Sequence, residues 1–353
     1  MTRPYTVVAL VPTGIGADIG GYAGDAIPVA RAIAQVCDRL ITHPNVLNGA
    51  QLYWPQPNIF YVEGYGLDQF AAGRWGLRPV RQNRVGLILD KAIEPELRLR
   101  HVQAADATRA TLGLDLTDYV VTDKPLGVSL RTSDAGASWG TLDRPDSLLR
   151  AAEVLIDRAG AEAIAIVARF PDESGEALEN YRSGQGVDPI AGAEAVISHL
   201  VVRQFRIPAA HAPALSPLPA DPSLSPRAAA EELGYTFLPC VLVGLSGAPQ
   251  FSEVSDISDG SENGTMRSRD VDAVVVPETA CGGSAILSLS QTAARILAVR
   301  DNRTKMRVPP AALGISAITV NSYLEALGVL VAHRAGISPA ALSPHLPPSR
   351  QLS

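Results

Sequence analysis

Val271-Asp-Ala-Val-Val-Val-Pro-Glu-Thr-Ala-Cys-Gly-Gly-Ser-Ala285 starts as an apolar run and ends in a glycine turn ahead of a helical pattern. Such a run suits a strand covered on both faces, since a strand with one solvated face alternates apolar and polar residues. A turn and a helix follow, which is the layout of a β–α unit in a parallel sheet. The layout recurs outward along the chain. The patterns predict strands at Thr6–Val11, Arg84–Leu89, Tyr119–Thr122, Ala163–Ala168, Phe237–Val243 and Val271–Val276. They predict helices at Gly24–Arg39, His101–Leu112, Ser147–Arg158, Gly192–Gln204, Ser284–Val299 and Ile318–Ala335. The expected fold class is α/β, with largely parallel sheet layers flanked by helices.

A length of 353 residues allows two lobes. The reading places an N-terminal α/β lobe at 1–205 with a glycine-rich turn, a Pro-rich connector at 206–227, and a C-terminal α/β lobe at 228–342 carrying Cys281. Proline removes an N–H donor, so Pro208–Pro226 reads as irregular rather than as a helix interior or a central strand. Gln250–Arg269, rich in Ser, Asp, Glu and Gly, reads as an insertion or as a lid, and Ser343–Ser353 as a tail.

Net charge −6 and the absence of a basic stripe argue against a nucleic-acid partner. No apolar window approaches the roughly 18 residues of a membrane span. The start runs almost directly into a strand, without the features of a signal peptide, so the expected location is cytoplasmic. Three widely spaced cysteines without a Cys-x-x-Cys give neither a disulfide framework nor a zinc site. The expectation is therefore no metal and no cofactor.

Cysteine chemistry is the first candidate. A strand-to-helix turn exposes unpaired backbone N–H groups and a positive dipole end, which would lower the pKa of Cys281 and hold an anion. Gly282 and Gly283 permit close approach, Ser284 can cap the helix, and Glu278 can exchange protons. A second anion-receptive turn follows the first strand, where Thr13, Gly14, Gly16, Gly20 and Gly21 lead into a helix. Its spacing is neither the dinucleotide fingerprint nor a P-loop. His43 and Asn45 stand in Thr-His-Pro-Asn at a strand end, Lys124 follows another strand, and Arg169 could clamp a carboxylate at the end of a third. Each has a plainer reading: a tight turn, a histidine held by turn hydrogen bonds, a salt-bridged surface loop, or a cysteine packed in the core.

Two resemblances add to this. Ala-Cys-Gly-Gly-Ser-Ala at 280–285 resembles the Ala-Cys-Asn-Thr-Ala run of the cofactor-independent aspartate/glutamate racemases, which would imply a second cysteine, here Cys240. Over most of its length the chain resembles a family of uncharacterised proteins known from cyanobacteria and plastid-bearing organisms. That likeness rests on Pro-Thr-Gly-Ile-Gly-Ala, Thr-His-Pro-Asn-Val, residues 104–114, Val-Ala-Arg-Phe-Pro-Asp and Ala-Cys-Gly-Gly-Ser-Ala. It implies a role in photosynthetic cells and no particular activity.

The combined expectation is that the turns at 13–21, 42–45, 122–127 and 279–284 converge on one cleft. There the protein would act on a small carboxylated or phosphorylated metabolite as an isomerase or hydrolase, with Cys281 as nucleophile or acid/base beside His43 or Glu278. The alternative is a non-catalytic ligand-binding or regulatory protein. The expected partner is that small anionic metabolite, with no nucleic acid and no membrane; the sequence leaves a homo-oligomer open.

Overall fold

A computed structural model describes residues 3–22, 25–47, 55–172, 175–232, 238–256, 264–346, 348–349 and 351. In chain order its strands are Thr6–Ala9 (β1), Arg39–Thr42 (β2), Ile59–Tyr61 (β3), Trp75–Arg78 (β4), Val85–Leu89 (β5), Leu116–Val121 (β6) and Val128–Thr132 (β7). Ser138–Leu142 (β8), Ala163–Arg169 (β9), Ala209–Ala214 (β10), Gln250–Glu253 (β11), Val271–Pro277 (β12), Arg295–Val299 (β13) and Ala317–Val320 (β14) complete the set. Two parallel sheets organise the molecule, one of six strands in the order β14-β13-β12-β1-β2-β3 and one of four in the order β10-β9-β5-β6.

Alternation along each strand separates the cores. Val7, Ala9, Ala273 and Val275 enter one apolar cluster, while Val8, Val274 and Val276 enter another on the opposite face. The first cluster also takes in Leu87, Leu89, Ala165 and Val167 of the four-stranded sheet, together with Ile33 from helix Ile27–Val36 and Leu242 from helix Leu238–Ser246. The second lies under helices Gly64–Ala71 and Ser284–Leu289. A third cluster packs Ile88, Ile164 and Ile166 against helices Pro145–Ala159 and Ala191–Phe205. Each fully buried Leu or Ile in these clusters contributes about 1.5–3 kcal/mol relative to exposure.

The expected lobes do not coincide with the sheets. The six-stranded sheet takes three strands from residues 6–61 and three from residues 271–320, whereas the four-stranded sheet lies wholly within residues 85–214. The 206–227 stretch contributes β10, which includes Pro213; its only neighbour among the described strands is β9, and an edge strand tolerates a proline. Three further expectations change. The Phe237–Val243 strand is a helix, Leu238–Ser246, with Pro239 in its first turn; its all-apolar sequence carries no period to tell helix from strand, and Phe237 is outside the described residues. The helix expected over Ser284–Val299 stops at Leu289, and Arg-Ile-Leu-Ala-Val becomes β13. Ala317–Val320 is likewise a strand, and the last helix begins at Tyr323, where the Ser322 hydroxyl accepts from the Glu325 N–H. The proposed lid or insertion forms β11 and pairs antiparallel with β4; its 257–263 part lies outside the described residues, as does Gly24 of the first helix.

Candidate functional site

Counted within its own sheet, the six-stranded order is 3-2-1-4-5-6, which reverses direction between β1 and β12. Open parallel sheets leave a crevice at the carboxyl ends of their strands where the order reverses, because the two connecting loops diverge to opposite faces. Here the loops after β1, β12 and β13 meet. Lys305 N–H donates to the Ile15 carbonyl (2.9 Å), Asp18 N–H to the Arg303 carbonyl (2.9 Å), and Ile19 N–H to the Asn302 side chain (2.8 Å). Thr279 and Thr304 hydroxyls are hydrogen-bonded at 2.9 Å, and Val308 N–H reaches the Thr279 carbonyl.

A cavity of about 500 Å³ opens between the loops after β1 and β13. Residues 16–18 and Tyr22 form one wall, 303–305 a second, and 184–186 a third. Gly16 has φ +60°, and a Cβ there would stand 2.6 Å from the Gly186 carbonyl oxygen, so only glycine lets the two walls approach. Gly14, at φ +71°, turns its carbonyl to the Ser138 N–H, and a Cβ there would meet the Ser138 hydroxyl at 2.6 Å. Gly20 N–H donates to the Asp25 carboxylate, Gly21 follows directly, and Thr13 is half-buried at the loop entry. Asp25 also pairs with Arg227 at 3.1 Å, yet burial pushes its carboxyl up to about 6.

The cysteine fares otherwise. Cys281 has no exposed surface and packs with Val8, Val276, Ile286 and Leu289. Burial, helped by the Glu278 charge, pushes its thiol up to about 11, opposite to the direction expected from a helix N-terminus. At the start of the helix beginning at Ser284, the Ala285 N–H lies on the side of the half-buried Asp68 carboxylate and offsets part of the rise that burial gives it. Cys240 sits on helix Leu238–Ser246, which packs against the four-stranded sheet, while Cys281 lies in the cluster under helices Gly64–Ala71 and Ser284–Leu289, so the two do not make a facing pair. Burial pushes Cys240 and Cys37 each up to about 12.

His43 is buried, and its Nε2 accepts the Val11 N–H at 3.1 Å. A backbone N–H can only donate, so this nitrogen carries the lone pair, and burial lowers the imidazole pKa to about 4. The ring therefore anchors the root of the glycine loop as a neutral acceptor. Asn45 lies in the short helix Pro44–Leu47. Glu278 is half-buried, 3.7 Å from Arg300, and Gly282, Gly283 and Ser284 are exposed beyond Cys281.

The turns thus divide between two sheets. Those at 13–21, 42–45 and 279–284 border the six-stranded sheet; the one at 122–127 and Arg169 border the four-stranded sheet. Lys124 is exposed there, its N–H held by the Ser147 hydroxyl at 3.1 Å. Arg169 is engaged by Glu94 (3.1 Å) and Asp172 (2.8 Å), and its own N–H donates to buried Asp90. Among the described residues no group of three or more His, Cys, Asp or Glu is arranged to hold a metal ion.

Arg303, Lys305, Tyr22 and Gln185 are cavity residues that sequence reasoning missed. The first two follow β13, whose sequence reads as the tail of a helix, so nothing marked 300–308 as a strand-end loop.

Comparison with known proteins places the chain. The family described as "Protein of unknown function (DUF3326)" matches residues 6–343. The chain belongs to this family. A relative from Synechococcus sp., named an uncharacterized lipoprotein, is 61% identical over 343 residues, covering 97% of this chain and 94% of its own length. No solved structure matches. No described helix is long and apolar enough to cross a membrane.

Proposed function

We propose that this DUF3326 protein binds a small anionic metabolite in the cavity at the carboxyl edge of the six-stranded sheet. The observation that carries the reading is a cavity of about 500 Å³ between the loops that follow β1 and β13, strands on either side of β12 and so next to the point where the strand order reverses. Two cationic side chains, Arg303 and Lys305, stand in its wall against one carboxylate, Asp18. Arg303 is tied to Asp18 at 2.9 Å, whereas the Lys305 ammonium has no ion-pair partner among the described residues. Lys305 is therefore the principal anchor for the anion.

Isomerase or hydrolase chemistry through Cys281 is the weaker reading, because a thiol buried in an apolar cluster and raised to about 11 holds little of the nucleophilic thiolate at neutral pH. The non-catalytic alternative fits the same geometry without it. The relative's name speaks of a lipoprotein; in this chain all three cysteines are buried, so a lipid on any of them would displace core packing.

The test is isothermal titration of phosphate and citrate into the protein and into Lys305→Ala. Binding that weakens at least tenfold in the variant is expected. Equal binding by both proteins, or none up to about 10 mM, refutes the site.

A further inference from the structure

The cavity wall is unusual in what it lacks. Apart from Tyr22, its largest purely carbon side chain is the methyl of Ala17, and three of its residues are glycines. Drug-sized and aromatic ligands are held mostly by apolar side chains, which exclude water from their faces. Nothing of that kind is present here. Tyr22 offers no platform either: it is 4% exposed, and its ring packs on Tyr181 at a centroid distance of 4.9 Å. A nucleobase would thus find no surface on which to stack.

Hydrogen-bonding groups fill the remainder. The Thr304 hydroxyl is taken by Thr279 and the Met306 N–H, and one Asp18 oxygen by Arg303, which leaves the other Asp18 oxygen to accept and the Gln185 amide to donate and accept. A ligand that presents an anion to Lys305 and also meets Asp18 and Gln185 needs groups that both donate and accept, which hydroxyls supply. We infer that the occupant is a hydroxyl-rich anion, a sugar phosphate or a sugar acid, held at its charged end by Lys305 and along its hydroxyls by Asp18 and Gln185. This rests on the proposed site. Phosphate and carboxylate satisfy Lys305 alike, so the hydroxyls carry the selectivity.

The experiment is calorimetric titration of ribose 5-phosphate, gluconate, inorganic phosphate and phenyl phosphate into the full chain, repeated with Lys305→Ala and with Asp18→Asn/Gln185→Ala. Ribose 5-phosphate or gluconate is expected to bind about tenfold or more tighter than inorganic phosphate and phenyl phosphate, the worth of one or two net hydrogen bonds. The double variant should lose that advantage, with its affinity for inorganic phosphate equal or higher because Asp18→Asn releases Arg303, and Lys305→Ala should weaken every anion. Phenyl phosphate binding as tightly as ribose 5-phosphate, or a double variant that keeps the preference, overturns the inference while leaving the site intact. Failure of all four probes, or indifference to Lys305→Ala, removes the site and the inference together.

Discussion

Alkylation of Cys281 tests the clearest difference between sequence and structure. An ordinary thiol of pKa 9 moved up to about 11 loses two decades of thiolate near neutral pH, so its reaction with iodoacetamide slows about 100-fold from ionisation alone. That figure is a lower limit. With no exposed surface, the sulfur meets reagent only when the region opens, and opening a core element costs up to the whole folding free energy, roughly 5–15 kcal/mol. Labelling would be followed by mass spectrometry of the three cysteine peptides at about pH 7.5, in native protein and in guanidinium. Native Cys281 should react at least 100-fold slower than in the denatured chain, and Cys37 and Cys240, raised further, should be no faster. A native rate within tenfold of the denatured one, selective for Cys281 and blocked by an anion, would refute the packing argument and restore a thiol site.

Gly16→Ala should cost about 1–2 kcal/mol for a left-handed alanine plus the displacement of the 186 carbonyl, and should weaken phosphate binding. Gly113→Ala, at φ +70° with open space around it, should cost the first term alone, so equal losses in chemical denaturation would deny the contact. His43 should show no ring titration by NMR above about pH 5. Because its folded pKa of about 4 lies below the unfolded value near 6.5, it withdraws stability as pH falls through that window, by roughly 3 kcal/mol in full. Asp25, raised to about 6, acts with the opposite sign between its unfolded value near 3.8 and 6, so the ring signal is the cleaner readout than acid denaturation.

Strand existence was legible where an apolar run was bounded by turn residues, as at Thr6–Ala9, Ala163–Arg169 and Val271–Pro277. It failed where a buried strand followed a short helix without a strong breaker: Gln-Thr-Ala-Ala between Ser290 and β13 looks helical by propensity, and the sheet overrides it. The glycine loop was legible as a site because its glycines precede a helix. Its partners were not, since Lys305 and Gln185 lie 289 and 169 residues beyond Gly16 and meet it only once both sheets have formed. Cys281 misled for a related reason. A turn before a helix looks open in sequence, but Asp68 and the side chains around the sulfur arrive from elsewhere in the chain.

The register Thr6↔Val271 joins residues 265 positions apart. A ribosome adding 5–20 residues per second would release β1 on the order of 10–50 s before its partner β12 exists. During that interval β2 can cover one side of β1, and the contiguous 85–214 sheet can finish on its own, while the other side of the six-stranded sheet waits with an open hydrogen-bonding edge. The first strand to be synthesised is therefore among the last to be completed. A nascent chain stalled before residue 271 would carry a finished four-stranded sheet beside an exposed half-sheet, which is the form most at risk of associating with its neighbours on the same message.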